Sequence, residues 1–322
     1  MKAITSHRYG PPDVLGLEEV DDPVAGDGEV LVRVHAASVN PRDWHFLRGL
    51  PYVVRPFGLR RPADGVLGSD LAGQVEAVGA GVTRFRPGDE VYAFVHSGAF
   101  AERARVPESV LAPKPANLTF EEAAAIPLAG LTALQGLRDQ GRVRPGRRVL
   151  VIGASGGVGS FAVQLGKWLG AHVTGVCSTR KLELVRSLGA DSVVDYTRED
   201  VTRSGRTYDV IFQLAGTSPP SELRRALAPR GILVGSSGES DGRWVGPLGR
   251  VVKAALLSPF VSQRLGTFEA KASPEDLRVL TGLVEAGTVT PLIDRIYPLI
   301  EVPEAIRYLE EGHARGKVVV TV

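Results

Sequence analysis

The chain has 322 residues, 43% hydrophobic and 23% charged, with 38 basic against 36 acidic side chains for a net charge of +2. That length exceeds one ordinary hydrophobic core and implies about two domains, while the composition excludes disordered, collagenous and disulfide-built classes. The single cysteine, Cys177, excludes an internal disulfide and a multi-cysteine zinc site.

No run of ~18 apolar residues offers a membrane span. The start, Met1-Lys2-Ala3-Ile4, lacks the apolar core of a secretion signal, so a cytoplasmic location and no membrane partner are expected. Arg142, Arg144, Arg147 and Arg148 cluster just before an apolar strand. Solvated charge flanking a buried element explains them, and no nucleic-acid partner is expected.

Along the first ~117 residues, short runs such as Glu29-Val-Leu-Val-Arg-Val-His35 and Leu71-Ala-Gly-Gln-Val-Glu-Ala-Val78 alternate apolar and polar positions, as half-buried strands do. This part reads as an all-β module. After Asn117-Leu-Thr-Phe-Glu-Glu122 strands begin to alternate with helical patterns, which argues a parallel sheet. The expected strands are Arg148–Gly153, His172–Cys177, Ser192–Tyr196, Tyr208–Ala215, Gly231–Ser237 and one near Arg264–Phe268. A helix capped by Ser273, with Pro274 in its first turn and Glu275 and Asp276 facing its dipole, follows and ends at Gly287. The chain closes with the segment Leu292–Leu299, a short helix at Pro303–Glu311 and the strand Lys317–Val322.

The strongest motif is Val149-Leu-Val-Ile-Gly-Ala-Ser-Gly-Gly-Val-Gly159, an apolar strand, a glycine-rich turn and the start of an amphipathic helix. Small residues let backbone approach a pyrophosphate, and the helix start aims unpaired N–H groups at it. Ser155, Gly156, Gly157 and Val158 are therefore expected to cradle a dinucleotide. Gly153-Ala-Ser-Gly-Gly157 also matches a hydrolase elbow, but that reading lacks its acid and histidine in the required order.

At the end of the second strand an NAD site would place an acid. Here the residues are Val176-Cys-Ser-Thr-Arg-Lys181, so Ser178, Arg180 and Lys181 are expected to surround a 2′-phosphate, favouring NADPH over NADH. Cations at a helix start are unfavourable without a bound anion, which supports the same reading.

With these motifs in place the chain resembles the medium-chain dehydrogenase/reductase superfamily, in its zinc-independent quinone oxidoreductase (zeta-crystallin-like) branch. The resemblance runs through Ala37-Ser-Val-Asn-Pro-Arg-Asp-Trp44, Leu67-Gly-Ser-Asp-Leu-Ala-Gly73, Arg86-Pro-Gly-Asp-Glu90, Ala123–Leu134 and Gly316-Lys-Val-Val-Val320. It implies an α/β fold in which a GroES-like β-rich catalytic domain, residues 1–119 and 266–322, receives an inserted Rossmann doubly wound parallel sheet over 120–265. It also implies a cofactor in the cleft between them, and a homodimer. Where zinc members of the superfamily carry Cys, His and Cys, this chain aligns Asn40, Ser69 and Ala129, so no metal is expected.

No tyrosine has a lysine four residues on, so a short-chain dehydrogenase pair is absent. The cofactor must then carry the hydride chemistry, and the acceptor must already be electrophilic: a quinone, or an α,β-unsaturated carbonyl. Asn40 is the candidate donor to developing oxyanion charge, although Asn before Pro41 is also a common turn residue. Tyr52 is a candidate proton donor or a packed aromatic in the Leu50–Leu67 loop. Asp43 reads as a holder of local backbone or of an arginine rather than an acid, since no environment raising its pKa is visible in the sequence. The resemblance further assigns Asn40, Thr132, Tyr196 and Lys317 to the cofactor, and Gly216 and Ser236 fall at strand ends where ligands cross such sheets. Quinone reductase, enoyl or enone reductase and a non-catalytic NADPH-binding protein all remain open.

Overall fold

The structure, a computed structural model, describes residues 1–50, 65–236 and 262–322. Tyr52 and Ser237 lie outside the described residues. Two compact units make up the chain, Met1–Leu131 with Ala272–Val322, and Thr132–Lys271. Residues 120–131, assigned to the inserted domain from sequence, pack with the first unit. Phe120 stacks on His35 with ring centroids 4.3 Å apart, and the Leu128 amide donates to Asp70 Oδ1 at 2.8 Å. At the other junction residues 266–271 stay with the second unit, where Gln135 bonds the Lys271 backbone in both directions at 2.9 and 3.0 Å.

The first unit opens with β1 (Lys2–Ser6) against β2 (Leu15–Glu19), antiparallel. Its larger sheet is built from β3 (Glu29–Val39), β4 (Asp70–Val78), β5 (Glu90–Phe94), β6 (Arg103–Pro107) and β7 (Leu111–Pro113). Val30, Val32 and Val34 of β3 are buried in the core, as strand alternation requires. The helix α1 (Pro41–Arg48) follows β3 directly, with Asn40 as its N-cap and Gly49, at φ +58°, closing it in the left-handed region.

The second unit is a six-stranded parallel sheet of β8 (Arg148–Ile152), β9 (His172–Cys177), β10 (Ser192–Asp195), β11 (Tyr208–Gln213), β12 (Leu227–Gly235) and β13 (Arg264–Thr267). Their order is β10-β9-β8-β11-β12-β13, so the strand order reverses between β8 and β11. That reversal is the crevice where ligands bind in doubly wound sheets. β12 begins at Leu227, earlier than expected from sequence, because Leu227 pairs with Tyr208 ahead of a register shift. Beside β8, Arg147 pairs with Asp209 at 3.1 Å and Arg148 with Thr207 at 3.1 Å. Two of the four clustered arginines are thus engaged within the fold.

The chain returns to the first unit through the helix Pro274–Glu285, where the Ser273 hydroxyl accepts from the Asp276 amide. Then follow β14 (Ile293–Pro298), the helix Val302–Glu310 and β15 (Lys317–Thr321). The seven-stranded sheet runs β14-β15-β3-β4-β5-β7, with β6 also on β3. In this register Val39 faces Val318, and Ser38 faces Asp70. The ends of three strands distant in sequence therefore meet beside Asn40.

Candidate functional site

In the second unit β8 stops at Ile152 because Gly153 turns the chain at φ +88°, where a Cβ would also lie 2.8 Å from that of Ala215. Gly156 is the N-cap of the helix Gly157–Trp168 and carries no capping side chain. A Cβ on Gly156 would meet only Gly153 O, at 3.5 Å, so it would fill open space before the helix start. Gly159 serves packing instead, since a Cβ there would sit 2.0 Å from Gly153 O. Ser155 is buried beside them, and Gly157 and Val158 form the first helical turn. The turn thus presents backbone N–H groups and the positive helix end toward a space kept clear of side chains, which fits a pyrophosphate.

One strand over, Ser178 caps the short turn Thr179–Lys181 without using its hydroxyl on the cap. Arg180 is exposed. Tyr196, 64% exposed, follows β10 and bonds through its amide to Cys177 O at 3.2 Å. Ser178 and Arg180 thus stand on the turn that follows the second parallel strand.

Sequence reasoning missed an acid at this place. Asp195 is paired in register with Cys177, and its carboxylate accepts from the Thr179 hydroxyl at 2.5 Å and from the Thr197 amide and hydroxyl at 3.0 and 2.7 Å. The Thr179 bond is the first cause holding the Asp195 pKa below its ordinary value. Burial pushes the Cys177 thiol up to about 11, so it is inert at neutral pH.

Gly216 and Ser236 lie just past β11 and β12. Buried Gln213, also missed from sequence, donates to Gly216 O at 3.3 Å and Ser218 O at 3.1 Å, which pins this turn. Thr132 is buried on the helix Pro127–Gln135, and the division between the units falls just before it.

The first unit brings together Ser38, Asn40, Asp43, Ser69, Asp70 and Lys317, all buried to 4% exposure or less. Asp43 accepts the Asn40 backbone amide at 2.7 Å and the Ser69 hydroxyl at 2.7 Å, so it does hold local backbone. Asn40 and Asp43 form a capping box at the start of α1, and the Asn40 amide also reaches into the cluster. Its Nδ2 donates to Asp70 Oδ2 at 3.0 Å and to Ser38 O at 3.2 Å, and its Oδ1 accepts from Lys317 Nζ at 2.5 Å. Both amide hydrogens are engaged here, so donation to an acceptor requires exchange of one of them. Lys317 also contacts Val39 O and Asp70 Oδ2, each at 3.4 Å, and its ammonium thus ends inside this cluster.

Electrostatics follow from burial. Contrary to the sequence reading, Asp43 sits in an environment that raises its pKa: desolvation takes it from 3.8 to about 6, opposed by its bonds to Ser69 and Asn40. Desolvation lowers that of Lys317, opposed by Asp70 and Asp43. Zinc does not fit these residues, because the amide of Asn40 and the hydroxyl of Ser69 are engaged with an ammonium and a carboxylate. Among the described residues no group of three His, Cys, Asp or Glu is placed to hold a metal ion.

Two family models match the chain, an alcohol dehydrogenase GroES-like domain over residues 26–116 and a zinc-binding dehydrogenase over residues 188–320. The chain is 35% identical to the chloroplast envelope quinone oxidoreductase homolog of Arabidopsis thaliana, covering 99% of this chain and 98% of that protein. It is 36% identical to the chloroplastic NADPH-dependent alkenal/one oxidoreductase of the same plant, covering 99% of this chain and 79% of that protein. The Escherichia coli quinone oxidoreductase, solved in complex with NADPH, superposes with a TM-score of 0.86 at 27% identity, covering 100% of both chains. The GroES-like unit, the parallel sheet with its glycine turn and these whole-length relatives agree: the chain belongs to the quinone oxidoreductase branch of the medium-chain dehydrogenase/reductase superfamily.

Proposed function

We propose that this protein is an NADPH-dependent, zinc-independent reductase that delivers hydride to a quinone. The observation that carries the reading is the open glycine turn at the strand-order reversal, flanked by Ser178 and Arg180. Bound there, the nicotinamide supplies the hydride. Gly156, Gly157 and Val158 hold the pyrophosphate, with Ser155 beneath them. Ser178, Arg180, Lys181 and Tyr196 hold the 2′-phosphate and adenosine end, and Gly216, Ser236 and Thr132 line the remaining path.

Asn40 supplies the donor for the acceptor oxygen as charge develops on it. The Nδ2 hydrogen facing Ser38 O, at 3.2 Å, is the one exchanged, since the bond to Asp70 is shorter and charge-assisted. A cavity of ≈ 370 Å³ lined by Phe94, Val95, His96, Pro107 and Val110 lies in the same unit. Its size suits a one- or two-ring acceptor.

A second reading, reduction of α,β-unsaturated carbonyls, is favoured by the similarity to an alkenal/one oxidoreductase. Hydride then goes to the β-carbon, and the same Asn40 faces the enolate oxygen. The reading includes a homodimer, as the family resemblance implies; among the described residues no helix is long and apolar enough to cross a membrane.

The test is NADPH consumption by metal-free protein against paired panels of quinones and enones, with NADH alongside. Turnover of quinones supports the first reading and turnover of enones alone the second. Tight NADPH binding with silence on both panels would replace them with a non-catalytic binding protein. Preference for NADH would overturn the assignment of Ser178, Arg180 and Lys181.

A further inference from the structure

Asp70 gathers more of the first unit than any residue singled out from the sequence. It lies at 0% exposure. Its Oδ2 accepts from the Ser38 hydroxyl at 2.9 Å, Asn40 Nδ2 at 3.0 Å and Lys317 Nζ at 3.4 Å, and its Oδ1 accepts from the Leu128 amide at 2.8 Å. These donors come from β3, the N-cap of α1, β15 and the first turn of the helix Pro127–Gln135.

An amide side chain has two ends that differ only in donor and acceptor character. Here a carboxylate stands at one end of Asn40 and an ammonium at the other. Rotating the amide by half a turn would set Nδ2 against Lys317 and Oδ1 against Asp70, two repulsive contacts in a desolvated site. One sense of the amide is therefore enforced. The ammonium on Oδ1 also withdraws charge from the amide, which makes its N–H groups stronger donors.

We propose that Asp70 and Lys317 are a pair of positioning residues that fix and polarise the Asn40 amide, so that its Nδ2 hydrogen is aimed and strengthened for the acceptor oxygen. The inference rests on the role given to Asn40 in hydride transfer. It departs from the assignment of Lys317 as a cofactor contact.

A double-mutant cycle tests it, using the full chain with NADPH and the best quinone or enone. Asn40→Ala lowers kcat by about tenfold or more, as removal of an oxyanion donor does. Lys317→Met lowers kcat by a similar factor, while the NADPH dissociation constant, read by nucleotide fluorescence, stays within about twofold. In the Asn40→Ala background Lys317→Met has no further effect on kcat, because residues acting through one group are not additive.

Since Lys317→Met leaves buried carboxylates without their cation, the paired Asp70→Asn/Lys317→Met variant, which removes both members of the pair and leaves Asp43 on its own Asn40 and Ser69 donors, repeats the comparison. Lys317→Arg, which keeps the cation, restores part of kcat. If Asn40→Ala leaves kcat intact, the role of Asn40 itself fails. If Asn40→Ala lowers kcat but Lys317→Met adds its own full factor, the positioning inference fails and the role of Asn40 stands. Weaker NADPH binding with unchanged kcat in Lys317→Met would make Lys317 a cofactor contact and overturn the inference.

Discussion

The Ser69 hydroxyl donates to Asp43 Oδ1 at 2.7 Å, and both residues are buried to 2% exposure. A carboxylate so placed has lost its hydration and is compensated only by that hydroxyl, the Asn40 amide and, at greater range, Lys317. Asp70 opposes its ionisation through space, so the cluster contains two carboxylates and one ammonium competing over one desolvated volume.

The contribution of Asp43 to stability should consequently fall as pH rises toward neutrality. Asp43 has its pKa raised from 3.8 to about 6 by burial, so the folded state binds this proton more tightly than the unfolded chain does. The resulting stabilisation is full below pH ~4 and is lost as pH rises through ~6, a span worth roughly 3 kcal/mol. Asp43→Asn keeps an acceptor for one of the two donors and removes the titration. The variant is expected to flatten the pH dependence of stability between ~4 and ~7 in urea melts. An unchanged slope would show that Asp43 does not titrate in this range.

The glycines of the turn should separate binding from folding. A Cβ on Gly156 enters open space, whereas one on Gly159 lies 2.0 Å from Gly153 O. Gly156→Val is expected to weaken NADPH binding by tenfold or more while shifting Tm by only a few degrees, because β-branched bulk occupies the place of the pyrophosphate. Gly159→Ala is expected to lower stability by several kcal/mol, since backbone must move apart. Calorimetry of both variants with NADPH titration distinguishes them; equal losses of stability would refute the assignment of Gly156 to the ligand.

Arg180 is exposed at the first turn after β9, where a cation opposes the helix dipole. Arg180→Ala is expected to lower kcat/KM for NADPH about tenfold, leave that for NADH unchanged, and leave Tm within a degree or two. Equal losses with both nucleotides would place Arg180 outside the 2′-phosphate site.

How much was legible depended on distance along the chain. The glycine turn before the helix Gly157–Trp168 and the cap at Ser273 are local, and each formed where the sequence placed it. Asp70 was not legible as a hub, because its donors lie 30, 32, 58 and 247 residues away and meet only through the register of β3, β4 and β15. Lys317 pointed to a cofactor because a basic residue near the end of such a chain resembles one; its burial beside Asn40 follows from strand pairing. Asp195 escaped notice because only the end of the second strand was read for an acid. The carboxylate arrives from the third strand, whose parallel register sets it beside Cys177.

That carboxylate leads to the last expectation. Asp195 is the kind of acid that selects NAD, yet its oxygens are occupied by Thr179 and Thr197, with the Arg198 guanidinium 3.6 Å away. Held so, its acceptor oxygens are taken up within the chain and its charge is compensated in part. Thr179→Val keeps the shape of the side chain and removes the hydroxyl, which frees one carboxylate oxygen to accept from a ribose hydroxyl and to repel a 2′-phosphate. The ratio of kcat/KM for NADPH over NADH is expected to fall about tenfold, through both a higher KM for NADPH and a lower one for NADH. Thr179→Ser, which restores the hydroxyl, is expected to return the ratio to that of the parent. A ratio unmoved by Thr179→Val, with Asp195→Asn equally silent, would mean that the acid stands apart from the nucleotide and only ties β10 to the turn after β9.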